Sequence, residues 1–375
     1  MQPEKTQARQ TFAQFSNLSG SSYEIGQQIG MRIKQHPAAL QAMLMPAAAI
    51  NQIESKQQLS LFRQYFPNQL EEMQGTADEI KTPVEQLAYL SASYLRGGNC
   101  CHFILPGRIM QNQQDILARS YEFSESMDDM NISRISSPGV YTHMGSAMMW
   151  HGRYDGINEK GLAVTMSAGG LPVSSLEGLL PPIQDGFQFW TLIRAVLETC
   201  QTVQQGIDLI KDVPLCGNPI LMLLDAAGDQ ARVEVLGNQI AVKSIRAEDE
   251  EFPLAATNHF QDLSAPKVPV FKQSHTRLKT IEDFQNSKNK FTLQDVQTFL
   301  DMLYPQGVSC NYYQEFFGTL RSMIFNPKEK SLQVRFGTPG LNEWKTLSLL
   351  DDFQESFFPV NLKDEIAAPE FWAKA

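Results

Sequence analysis

Two adjacent thiols stand at Cys100 and Cys101, behind the small-residue run Gly97-Gly98-Asn99. A thiol becomes a useful nucleophile only with a base, a charge partner and an oxyanion site around it. Without them a free cysteine behaves as a small buried hydrophobe, and the pair alone does not separate the two cases. The other cysteines are Cys200, Cys216 and Cys310, an odd total of five with no framework spacing. Neighbouring cysteines rarely bridge each other, because the bond demands a set Cα separation and Cβ direction. No Cys-x-x-Cys has a partner pair, so the sequence indicates no metal site. Nothing in it points to a cofactor. One open reading is a thiol enzyme that needs no chain cleavage, with His143, His151 or His259 as the base.

The elements that must position such a site change character along the chain. Residues 20–96 look mainly helical. Apolar side chains recur at helical spacing over 23–33, with Ser21 or Ser22 as N-cap. Phe66-Pro67 opens a second helix through Leu70, Met73 and Ala77, and Thr82-Pro83 a third through Leu87, Leu90 and Tyr94. From residue 100 the texture is that of strands: 102–105, a turn at Pro106-Gly107, then 115–123. Further strands are expected at 139–143, 162–166, 221–224, 231–236, 322–325 and 331–336. Residues 155–161 read as a tight turn into the strand at 162, and 225–229 as a hairpin turn. Helical periodicity returns over 186–212 and 292–303. Runs of strands and runs of helices without a regular βαβ beat predict α+β layers.

The 375 residues are 42% apolar and 19% charged, enough to bury a large core and too apolar for extensive disorder. The net charge of −10 argues against nucleic-acid binding, which needs clustered Lys and Arg. The first residues lack the apolar core of a signal peptide, and the apolar stretch 37–50 is broken by Gln41 and too short to span a bilayer. The expectation is a reduced, cytoplasmic protein with no transmembrane segment. Monomer and homo-oligomer both remain open.

Several motifs in order resemble the penicillin acyltransferase-like family of N-terminal nucleophile hydrolases. Gly20-Ser21-Ser22-Tyr23-Glu24-Ile25-Gly26 is similar to its Gly-x-x-Tyr-Glu-x-Gly opening, and 71–77 to its Glu-x-x-Gly-x-Ala helix. Cys100-Cys101-His102-Phe103 stands where the family has Gly-Cys-Thr/Ser-x-Phe. Arg119-Ser120-Tyr121-Glu122-Phe123 stands at its Arg-Asn-x-Asp-aromatic strand. Asn158-Glu159-Lys160-Gly161-Leu162-Ala163-Val164, Thr257-Asn258-His259-Phe260, Ser274-His275-Thr276-Arg277 and Gly318-Thr319 follow in the family's order.

The resemblance implies a four-layer αββα fold in one structural domain. It implies a precursor that cuts itself before the nucleophile, giving a helical small subunit of residues 1–99 and a catalytic subunit of residues 100–375. The activity implied is cleavage or transfer of an acyl group at a linear amide of a small molecule. A cysteine at a chain start owns a free α-amine, whose pKa of about 7.7–8 suits it to act as base. Within a chain the same nitrogen is an amide and cannot accept the proton.

Roles carried over by position make Cys100 the nucleophile, with Cys101 in the small Thr/Ser slot; Cys101 stays open as the rival. Arg119 would favour the thiolate, Glu122 would orient the α-amine, Asn258 would donate to the oxyanion, and Arg277 would support the pocket or bind a carboxylate. Glu122 replaces the family's Asp, and Ser167 stands where many relatives have an oxyanion-binding asparagine. The Met-rich segments 144–150 and 166–172 are candidates for an acyl pocket, though such segments are commonly plain core. The same fold without the chemistry, a binding protein, is the remaining alternative.

Overall fold

A computed structural model describes residues 8–46, 52–90, 99–170, 185–264 and 268–375. The lead-in Gly97-Gly98, the expected helix end near Tyr94, and Leu171-Pro172 of the second Met-rich segment lie outside the described residues.

In chain order the strands are β1 (Ala8–Ser19), β2 (Asn99–Leu105), β3 (Ile116–Phe123), β4 (Asn131–Ser136), β5 (His143–Met148), β6 (Gly152–Arg153), β7 (Asp155–Asn158), β8 (Ala163–Ala168), β9 (Pro219–Leu224), β10 (Gln230–Leu236), β11 (Gln239–Ile245), β12 (Ala255–Ala256), β13 (Asn311–Tyr312), β14 (Phe317–Asn326), β15 (Ser331–Phe336), β16 (Lys345–Ser348) and β17 (Ser356–Lys363). The helices are α1 (Ser22–Lys34), α2 (Pro37–Met43), α3 (Gln52–Tyr65), α4 (Pro67–Ile80), α5 (Phe189–Thr199), α6 (Val203–Asp212), α7 (Lys272–Gln285) and α8 (Leu293–Asp301).

Among the described residues the strands form two sheets. The ten-stranded sheet runs β11-β10-β9-β8-β7-β5-β4-β1-β17 with β6 beside β5. The seven-stranded sheet runs β12-β2-β3-β14-β15-β16 with β13 beside β14. The sheets pack face to face, with β2 and β3 of the smaller over β8 and β9 of the larger. Helices α5 and α6 cover the outer face of the larger sheet, and α7 and α8 that of the smaller. This is the four-layer αββα sandwich that the resemblance implies. The inter-sheet core holds Ile104, Leu117, Tyr121, Met144, Ile157 and Met323, and a separate cluster of Phe103, Leu105, Ala118, Ile281, Phe299 and Leu300 seals the smaller sheet to its helices.

Two glycines set how the first helices pack. A Cβ on Gly26 of α1 would collide with the Glu72 carbonyl, and one on Gly75 of α4 with the Tyr23 carbonyl. The two backbones therefore touch where the motif glycines stand. Ser21 caps α1 through a capping box with Glu24.

The segment before Cys100 is not helical throughout. Its β1 lies inside the larger sheet, antiparallel to β17 and parallel to β4. Ala13 and Phe15 face the inter-sheet core, while Leu18 is buried in the cluster under α1. Burial on both faces removes the polar alternation that marks a surface strand. Residues 1–99 therefore contribute to the same sheet as the C-terminal strand. The helix expected after Thr82-Pro83 is instead two short 3-10 turns, 84–86 and 88–90. The strand expected from Gly139 begins at His143, and 155–158 is strand rather than turn, the turn being confined to 158–161. The helical run over 186–212 is broken at 200–202, where Thr202 caps α6.

Candidate active site

Strand β2 sorts its side chains by alternation. Cys100 and Ile104 belong to the inter-sheet core, and His102 reaches Thr165 on the facing β8. Cys101, Phe103 and Leu105 point the other way, into the cluster beneath α7 and α8. The two adjacent thiols thus lie in different compartments. Burial among apolar groups pushes the Cys101 thiol up, and its largest charged influence, Glu122, adds to that.

Cross-strand register brings Arg119 to Cys100. His102 is opposite Arg119 and Cys100 opposite Tyr121, and the Arg119 side chain reaches along β2 so that its Nη2 lies 3.1 Å from Cys100 Sγ. Arg119 Nη1 donates to the Tyr154 carbonyl at 2.7 Å and to Asp155 Oδ2 at 2.5 Å. Asp155 in turn accepts from the Ser146 amide at 2.9 Å. All of these side chains are fully buried. Burial pushes the Cys100 thiol up, and Arg119 pulls against it; the net shift is upward. The sulfur thus has a charge partner within hydrogen-bonding distance, while its burial works against the ionised form.

Glu122 lies on the opposite face of β3. Its Oε1 accepts from Ser120 Oγ and from Thr319 Oγ1, the latter at 3.2 Å, and its Oε2 from Arg277 Nη1 at 3.3 Å. A bulge in β14 between Thr319 and Arg321 lets Thr319 meet Glu122 while Arg321 still meets Tyr121. Burial pushes the Glu122 carboxyl up to about 7, with Arg277 the strongest opposing influence.

Asn258 follows β12. Its Oδ1 accepts from the Cys100 backbone nitrogen at 3.2 Å and from Arg277 Nη2 at 2.7 Å, and its Nδ2 donates to the Ala168 carbonyl at 3.0 Å. Ser274 Oγ accepts the Asn258 amide at 2.9 Å. Arg277, on α7, is fully buried and so is no solvated helix residue. It joins Glu122 to Asn258 and is itself held by Gln273 at 2.7 Å.

The structure therefore brings Cys100, Arg119, Glu122, Asn258 and Arg277 into one connected cluster. Ser167 differs from the expectation of an oxyanion donor, because its hydroxyl donates to the Thr257 carbonyl at 2.5 Å. The three histidines considered as bases bond elsewhere. His143 meets Arg153 and Glu198, His151 meets Glu72, and His259 meets Thr257 and Ser274. Burial lowers His143 and His259 to about 4. Sequence reasoning gave no site role to Asp155, Thr319 or His102: Asp155 stood in a turn reading, and Thr319 and His102 stood in motif runs whose spacing assigns them no partner.

Among the described residues no group of three or more His, Cys, Asp or Glu could hold a metal ion, and no helix is long and apolar enough to cross a membrane.

The αββα sandwich is the fold of the N-terminal nucleophile hydrolases that the motifs resemble. The model of the acyl-coenzyme A:6-aminopenicillanic acid acyl-transferase family matches residues 109–341, more than half of the chain, and the protein belongs to that family. It is thus an enzyme of the amide hydrolase and acyltransferase type. No curated protein sequence matches the chain. Solved structures similar to it include a mutant of conjugated bile acid hydrolase from Clostridium perfringens, with 12% identity, 72% of this chain and 99% of that one covered, and a TM-score of 0.47. Penicillin V acylase from Agrobacterium tumefaciens gives 15%, 67%, 86% and 0.44 for the same quantities. The Caenorhabditis elegans ortholog of N-acylethanolamine-hydrolyzing acid amidase gives 12%, 61%, 93% and 0.41.

Proposed function

We propose that the protein is a self-processing cysteine amidase or acyltransferase, with Cys100 as nucleophile and a linear amide of a small molecule as substrate. The observation that carries this reading is the 3.1 Å approach of Arg119 Nη2 to Cys100 Sγ, in a site that shields the pair from water.

Self-processing begins with attack of Cys100 Sγ on the Asn99 carbonyl carbon. The Asn99–Cys100 C–N bond breaks, the leaving nitrogen takes up a proton, and water hydrolyses the resulting thioester. The products are residues 1–99 ending in a carboxylate and residues 100–375 beginning with an amine. That amine is the base missing from the uncleaved chain. Its nitrogen is the one that Asn258 Oδ1 already holds at 3.2 Å.

Turnover repeats the chemistry on an external amide. The amine accepts the thiol proton, Arg119 stabilises the thiolate, and the sulfur attacks the substrate carbonyl. Asn258 turns its Nδ2 from the Ala168 carbonyl toward the developing oxyanion. The substrate amine leaves with the proton, and water or a second amine takes the acyl group from Cys100. Glu122 and Arg277 hold the amine and Asn258 in place through their mutual ion pair.

Incubation with an activated acyl p-nitroanilide, followed by rapid acid quench and peptide mass mapping, tests this. An acyl mass on the peptide beginning at Cys100 is expected. Turnover with the acyl group on another residue, or undiminished turnover in Cys100→Ala, would contradict it.

A further inference from the structure

His102 follows Cys100 by two positions and shares its face of β2. It is fully buried, and no step of the proposed chemistry uses it. Its Nδ1 lies 2.7 Å from Thr165 Oγ1 and its Nε2 3.3 Å from Ser167 Oγ, both on β8 of the facing sheet. Ser167 Oγ lies 2.5 Å from the Thr257 carbonyl. A carbonyl only accepts, so the single hydroxyl hydrogen of Ser167 is committed there. At His102 the serine must then accept, which places a hydrogen on Nε2. Burial first, then the cations Arg119 and Arg232, keep the ring neutral. Nδ1 is consequently bare and accepts from Thr165. The bonds run one way: Thr165 to His102 to Ser167 to the Thr257 carbonyl.

The chain of bonds ends on the residue before Asn258. The Thr257 hydroxyl is separately tied to Ser274, whose Oγ also takes the Asn258 amide. Both sides of the Thr257–Asn258 peptide are therefore fixed, one from the sheet and one from α7.

We propose that His102 is a positioning residue for amide turnover: through Ser167 it holds the Thr257 carbonyl and so fixes where Asn258 presents its side-chain amide beside Cys100. Ser167 does not donate to the oxyanion itself. Its hydroxyl and the imidazole together orient the group that does. The inference rests on the proposed amidase reading for its kinetic consequence, while the bond directions stand on geometry alone.

The test has two arms. The first measures kcat and KM on an acyl p-nitroanilide, with the rate of Cys100 alkylation by iodoacetamide, in His102→Phe, His102→Gln, Ser167→Ala and the double variant His102→Phe/Ser167→Ala. Loss of either partner should lower kcat about tenfold or more with KM within about twofold, and the double variant should match the single ones. Alkylation should be unchanged. His102→Gln, whose amide still donates to Ser167, should recover most of the loss even if the phenylalanine variant folds poorly. Losses that multiply in the double variant, or a glutamine variant as impaired as the phenylalanine one, overturn the proposal. The second arm is nitrogen-15 NMR of the ring in Cys100→Ala protein. A neutral ring protonated on Nε2 that does not titrate between pH 5 and 9 supports it; protonation on Nδ1 or titration near the ordinary histidine value of about 6.5 overturns it. A wild-type protein that turns over no amide defeats the amidase reading and leaves this second arm to decide the bond directions.

Discussion

Asn258 accepts the Cys100 backbone nitrogen and Arg277 on one and the same side-chain oxygen, at 3.2 and 2.7 Å. In the proposed mechanism the residue that binds the oxyanion thereby also holds the nitrogen that cleavage would turn into a base. The two functions are separable, because each uses a different end of the amide.

Replacing Asn258 by Asp keeps the accepting oxygen and removes the donor. Self-cleavage and alkylation of Cys100 should survive more fully than turnover. Steady-state kinetics on an acyl anilide should show kcat reduced by roughly 10²–10³, the usual loss for one oxyanion donor. Equal losses in alkylation and turnover would argue against the assigned division.

Arg119 is the only charged partner within hydrogen-bonding distance of the Cys100 sulfur among the described residues. Burial pushes this thiol up and Arg119 opposes it. Removing the guanidinium should therefore raise the thiol further. In cleaved Arg119→Gln the pH profile of iodoacetamide alkylation should move to higher pH, with the rate at pH 7 lower by about tenfold or more. An unmoved profile would show that Arg119 does not act on the thiolate.

Glu122 sits at about 7 because of burial, well above an ordinary carboxyl. The folded state then binds a proton that the unfolded chain releases near 4.3. The stability this group contributes is fully present below that lower value and declines as the pH rises to about 7. Uncleaved Cys100→Ala protein should lose stability to urea across this window. Glu122→Gln in the same background should flatten the decline. Glu122→Asp, which shortens the side chain by one methylene, should weaken the bond to Arg277 and lower turnover more than it lowers stability.

Glu72 of α4 joins the segment before Cys100 to the rest of the protein. It pairs with Arg194 of α5 at 2.5 Å and with His151 at 2.8 Å, all of them buried. Burial pushes its carboxyl up, but Arg194 and then His151 outweigh that and hold it down at about 2. Its contribution is present above the unfolded value near 4.3 and is lost as the pH falls through 2. Glu72→Ala leaves Arg194 buried with one carboxylate fewer, and urea denaturation should register a loss of about 3–5 kcal/mol.

Much of the site could be read from the chain because its motifs are local. Asn158 illustrates this. Its Oδ1 accepts the amides of Lys160 and Leu162 and closes the turn that the Asn-x-x-Gly pattern announces, and Gly161 there has a φ of +85°. Its Nδ2 bonds to the carbonyls of Leu197 and Cys200 at the end of α5, and no local pattern announces those. The interlocked Gly26 and Gly75 likewise appear in the sequence as two unrelated motifs until the helices cross. Strand β1 escaped notice because its central residues Ala13, Phe15, Ser16 and Leu18 are buried on both faces, and that Cys100 and Cys101 face different layers is visible only in the pleat of β2. Ser167 could be located but not interpreted, since its partners, His102 on β2 and Thr257 just after β12, lie 65 and 90 residues away.

The most direct test is intact mass spectrometry of freshly purified protein beside Cys100→Ala. The account predicts two fragments meeting between Asn99 and Cys100 in the wild type and one uncut chain in the variant. A wild-type chain that stays whole on long incubation, or a break between Cys100 and Cys101, would contradict it.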